Sequence, residues 1–65
     1  MRDLIDIQVS QLERLISFKK IAFKDCYLII FSDYPSVNFI NELLEFHILS
    51  DSLKRKLQLE LKILQ

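Results

Sequence analysis

The chain has no glycine and a single proline, Pro35, among its 65 residues. Glycine reaches backbone angles closed to other residues, and proline blocks the helical ladder, so these two punctuate most folds. A sequence this poor in turn material favours few, long elements over many short strands. The absence of glycine also removes every glycine-rich phosphate loop and the glycine-flanked serine of a nucleophile elbow.

Residues 3 to about 25 have the pattern of one long helix. At 3.6 residues per turn, Leu4, Ile5, Val9, Leu12, Leu15, Ile16, Ala22 and Phe23 fall within an arc of roughly 140°. Asp6, Ser10, Glu13, Arg14, Ser17, Lys20 and Lys24 lie opposite. Asp3 and Asp6 near its start, and Lys19, Lys20 and Lys24 near its end, follow the order the helix macrodipole favours. Ile7, Phe18 and Ile21 fall off the main apolar face and are expected to be exposed.

The next segment, "CYLIIF" at 26–31, is ambiguous, since its aromatic and β-branched content also suits a short buried strand. "SDYPS" at 32–36 breaks the chain because Pro35 biases Tyr34 away from the helical region. Proline suits the first turn of a new helix, which is expected from 35 to 49. On that helix Val37, Phe39, Ile40, Leu43, Leu44 and Phe46 cover an arc of about 200°, with Asn38, Asn41, Glu42 and Glu45 opposite. "SDS" at 50–52 offers three helix N-caps ahead of the last segment.

That last segment, "KLQLELKILQ", alternates apolar and polar residues as a strand does, but Leu, Lys, Gln and Glu are strong helix formers. As a helix it carries two apolar ridges, Leu53, Leu57, Leu61 and Leu64 on one side, and Leu59 with Ile63 on another. Lys56 and Glu60 lie between the ridges, four residues apart, where they can pair. The expected fold is therefore all-α, a single domain of three helices (a long first helix, then a helical hairpin) closing into a dimeric bundle. The alternative is a small α+β fold with strands near 26–31 and 57–64.

A chain of this size buries only about 60% of the surface its unfolded form exposes, so a lone core is marginal. With 51% hydrophobic residues and one cysteine, it has surplus apolar surface and no disulfide to compensate. Self-association or a protein partner is the remaining source of stability. Leu59, Ile63, Leu57, Phe18 and Ile21 are the expected interface residues. Lys54, Arg55 and Lys56 oppose the dipole of the helix they begin, and with Lys19, Lys20 and Lys24 they form a candidate basic contact patch. Nine basic and nine acidic residues cancel, so no global field draws the chain to nucleic acid or anionic lipid.

Chemistry is poorly provided for. His47, the only histidine, projects onto the apolar face of the second helix without a partner at metal-ligand or catalytic spacing. Cys26 reads as a small buried hydrophobe. No cofactor, metal or catalytic residue is expected. The longest apolar run, residues 26–31, falls far short of the roughly 18 a membrane span needs. With no apolar leader at the start, a cytoplasmic protein is expected. The function these features imply is a small non-catalytic regulator, inhibitor or adaptor that binds another protein through exposed helix faces. The alternatives are a nucleic-acid-binding regulator using the basic patch, or a structural oligomerisation module.

Overall fold

The computed structural model describes residues 3–18 and 21–65. Among them are four α-helices and no strand: α1 Leu4–Ser17, α2 Phe23–Phe31, α3 Val37–Phe46 and α4 Asp51–Leu64. The chain falls into two units, Met1–Tyr34 and Pro35–Gln65. The first packs α1 on α2, and the second packs α3 on α4.

In the first unit the expected long helix is cut in two. At the end of α1 the Ser17 hydroxyl donates to the Arg14 carbonyl at 2.6 Å, and the Phe18 N–H turns back three residues to Leu15 at 3.3 Å. Short polar side chains that bond nearby backbone compete with the helical ladder. Ala22 is already extended, at φ −62° and ψ 151°, and α2 starts behind it. Folding back places the buried pair Cys26 and Tyr27 in the same unit as the buried Val9 and Leu12. Gln8 Nε2 donates to the Ile30 carbonyl at 3.4 Å, joining the first half of α1 to the end of α2. Lys19 and Lys20 lie outside the described residues.

Helix α2 contains "CYLIIF", so the strand reading of 26–31 is overturned. Its β-prone residues fold as helix because three aromatics recur every four residues along it. Tyr27 meets Phe31 with ring centroids 4.8 Å apart and Phe23 edge-on at 6.3 Å. Such one-turn aromatic pairs stabilise a helix and outweigh a modest strand propensity.

Helix α2 ends on Ser32, the one described residue with positive φ, at φ 57° and ψ 29°. Its N–H closes on the Leu28 carbonyl at 2.8 Å. In most helices glycine holds this left-handed position, and a residue with a Cβ pays about 1–2 kcal/mol there. Ser32→Gly is expected to stabilise the protein by about 0.5–1 kcal/mol, the steric relief less glycine's extra unfolded-state entropy. Denaturant unfolding followed by circular dichroism measures it.

The second unit starts its helices differently. Neither α1 nor α2 has a side-chain cap, whereas α3 and α4 both begin with a serine whose hydroxyl accepts a backbone N–H. Ser36 Oγ takes the N–H of Phe39 at 3.3 Å, and Ser50 Oγ takes that of Leu53 at 3.2 Å. Pro35 therefore precedes the cap instead of occupying the first helical turn. Helix α3 stops at Phe46, three residues before the expected 49, because His47 turns extended at φ −124° and ψ 147°. Successive side chains of an extended segment point to opposite sides. Leu49 accordingly enters the core while Ile48 stays in solvent.

The buried residues of this unit are Pro35 ahead of α3, Ile40 and Leu43 on α3, Leu49, and Leu53, Leu57 and Glu60 on α4. On α4 the spacing i, i+4, i+7 defines one helical stripe, so 57–64 is helix and its strand alternative is also overturned.

Candidate protein-binding surface

The sequence's interface candidates separate between the two units. Phe18 and Ile21 are exposed in the first, Leu59 and Ile63 in the second. Leu57 has 0% of its surface exposed. Its inclusion among the interface residues is corrected, since it lies on the buried stripe with Leu53 and offers nothing to a second chain.

In the first unit, Gln11, Arg14, Leu15, Phe18, Ile29 and Ile30 line a groove of about 340 Å³. The exposed Leu4 and Ile7 lie on the same helix as its α1 residues, seven and four residues before Gln11. Leu4 was expected on the buried face and is not part of it. Ile29 was not singled out in the sequence; its exposure follows from α2 being a helix with Cys26 and Tyr27 turned inward.

In the second unit, Arg55, Gln58, Leu59 and Lys62 line a groove of about 480 Å³ along α4. Leu59 is 61% exposed and Ile63 67% exposed. The run Lys54, Arg55 and Lys56 does not act as one patch, because adjacent helical residues point about 100° apart. Lys54 and Arg55 are exposed and Lys56 is half-buried. Arg55 instead shares its groove with Lys62, two turns on. That pairing was legible as an i, i+7 spacing and was missed in favour of the consecutive cations.

Glu60 departs from expectation most. The carboxylate is turned inward, the residue is 8% exposed, and its Oε2 has no hydrogen-bond partner. At about 20° from Leu53 around the helix, its position falls within the buried stripe. It is the only acid of α4 beyond Asp51, so its withdrawal leaves the outer surface of the helix to Lys54, Arg55 and Lys62.

Phe46, on the apolar arc that the sequence pattern assigns to this helix, is 70% exposed. As the last residue of α3 it has no following turn to cover it, and the chain leaves in the extended conformation. The exposed Glu42 and Glu45 accompany it on that helix.

The remaining candidates, His47 and Cys26, sit at the end of α3 and inside α2. His47 is half-buried and ends α3, so it is not on the helix face where it was placed. Among the described residues no group of three or more His, Cys, Asp or Glu gathers as a metal site. Cys26 is fully buried, its Sγ–H directed to the Ile21 carbonyl at 3.8 Å. Burial, and then the charge of Asp25, push its thiol pKa up, against a smaller backbone hydrogen-bond effect. A thiol so placed is a poor nucleophile.

The Tyr27 phenol is pushed up to about 12, first by desolvation and then by the negative charge of Asp33. The unfolded chain releases this proton near pH 10.0, and the folded chain holds it to about 12. The folded state thus binds more protons in that window, and stability falls as pH rises. The contribution is complete below pH 10.0 and declines by about 2–3 kcal/mol on approaching 12. Thermal melts below and above pH 10.0 are expected to show the decline in the wild type and a weaker one in Tyr27→Phe.

No described helix is long and apolar enough to cross a membrane. No protein-family model, curated protein or solved structure matches this chain.

Proposed function

We propose that this chain works by binding another protein, as a small non-catalytic regulator, inhibitor or adaptor in the cytoplasm. The observation that carries the reading is the exposure of Phe18, Ile29, Leu59 and Ile63 beside open grooves on preformed helices. Scattered single apolar residues on a surface need no explanation, but rows of them beside a groove mark interaction sites. Aromatic residues and Arg are the side chains enriched at protein interfaces, and Phe18 with Arg14 in one groove and Arg55 in the other supply them.

The test is quantitative capture of partners from the native host by the whole tagged chain. Wild type is expected to enrich a client protein. Phe18→Glu, or Leu59→Glu with Ile63→Glu, is expected to reduce that enrichment by about tenfold or more, the effect of losing a hot spot. Helix content should be retained, because all three positions are exposed. Equal enrichment by wild type and both variants would remove the reading.

A second reading, nucleic-acid binding, is favoured by Arg55 and Lys62 lining one groove. Affinity for an oligonucleotide that falls steeply with salt would support it.

A further inference from the structure

The α3–α4 unit separates its charges by helix. Between Asp25 and Leu53 the chain has no lysine or arginine, and the outer residues of α3 include Asn38, Glu42, Glu45 and Phe46. Beyond Asp51, the outer residues of α4 include Arg55, Gln58, Leu59, Lys62 and Ile63, with no acid, since Glu60 is buried. Each set forms a narrow stripe. Glu42, Glu45, Phe46 and Asn38 fall within about 100° of arc on α3, and the α4 residues within about 140°. One stripe is acidic with an exposed aromatic ring; the other is basic with exposed aliphatic side chains and a groove of about 480 Å³.

We propose that the groove along α4 is occupied by α3 of a second copy of this chain. Phe46 of one copy rests on Leu59 and Ile63 of the other, while Glu42 and Glu45 lie alongside Arg55 and Lys62. The long basic side chains reach the two closely spaced carboxylates from either end. When both copies contribute, the contact is made twice, as in an isologous dimer. Pairing α4 with α4 is disfavoured because it brings the cationic stripes together, and like charges across an interface are costly. A phosphate backbone satisfies the cations but leaves Leu59 and Ile63 against a charged strand. An acidic helix with an exposed aromatic matches all of them, and this chain contains one.

The pairing takes α4 as a binding surface, in line with the proposed function, and names its occupant. It leaves the Phe18–Ile29 groove of the first unit as the direct client contact, and the loss of capture expected in Leu59→Glu with Ile63→Glu then follows from loss of the dimer. Its test uses two charge-reversed forms of the whole chain, Arg55→Glu with Lys62→Glu, and Glu42→Lys with Glu45→Lys. All four positions are exposed, and circular dichroism checks that helix content is unchanged. Sedimentation equilibrium at low salt is expected to show wild-type dimers that weaken as salt screens the charges. Each reversed form alone is expected to weaken self-association by about tenfold or more. An equimolar mixture should recover it to within about threefold of wild type, since each acidic stripe then meets a basic one.

A wild type that remains monomeric at about a hundred times the concentration typical of regulatory contacts (roughly 1 μM) overturns the proposal. Dimers unaffected by either reversal, or a mixture that stays monomeric, overturn it too. A monomer that binds an oligonucleotide with a steep salt dependence overturns it and assigns the cations to phosphate. A monomer that still captures its client overturns the pairing and leaves the functional reading standing. A charge-dependent dimer without a client has the reverse outcome.

Discussion

Leu57→Ala is expected to unfold the α3–α4 unit or leave it barely folded, while Leu59→Ala, two residues away, leaves its stability almost unchanged. Leu57 is wholly buried and Leu59 is 61% exposed. Truncating a fully buried leucine costs about 2–5 kcal/mol, the lost transfer energy plus a cavity. A core in a chain of this length rarely supplies more than about 3–5 kcal/mol, so the first substitution removes most of it. The second removes exposed surface, where effects stay within about 0.5 kcal/mol. Urea unfolding of both variants, at concentrations low enough to keep the chain monomeric, makes the comparison. Equal losses would mean that the two leucines share one environment, as alternating residues of a doubly covered strand do, and would contradict the helical stripe.

Glu60→Leu is expected to act in the opposite direction. The carboxylate is buried on the stripe that holds Leu53 and Leu57, with Oε2 unpartnered. Burying an unsatisfied polar group costs about 1–3 kcal/mol, and replacing it by an apolar group of similar size recovers much of that. A gain of about 2 kcal/mol raises the melting temperature of so small a protein by roughly 10 °C. Glu60→Gln keeps a polar head in the same place and should gain less. A loss of stability in Glu60→Leu would show that the carboxylate is held by a favourable interaction after all.

How far the sequence could be read depends on which physical signal governs each segment. Helical class was legible because the period of Leu53, Leu57 and Leu61 and the propensities of their neighbours agree. The serine cap before α4 was legible as well, since Ser50 follows an apolar run and precedes a helix-forming one. The break at 18–22 was not. It contains neither glycine nor proline, and Ala22 and Phe23 continue the apolar arc of α1 without interruption. What ends α1 is a local competition for backbone, in Ser17 and Phe18, combined with the packing of α2 back on α1, a tertiary effect that no single-helix projection contains. The inward Glu60 was hidden for a similar reason. Its residue type predicts exposure, and only its angular position beside Leu53 hinted otherwise. Among the candidate surface residues, Phe18, Ile21, Leu59 and Ile63 were found by exclusion from the helix faces. Phe46 and Ile48 were missed because their exposure depends on where α3 stops.

The nearest-neighbour pairing of the helices also has a kinetic meaning. Helix α1 packs on α2 across the short segment 18–22, and α3 on α4 across residues 47–50. Contacts within each unit therefore join residues close in sequence, and proteins dominated by local contacts fold in microseconds to milliseconds. Loop closure over so few residues adds little further delay. The helices form and pair faster than a dilute partner arrives by diffusion. On the proposed protein-binding reading, recognition is a docking of ready-made surfaces, with the entropy of ordering the backbone already spent before the encounter.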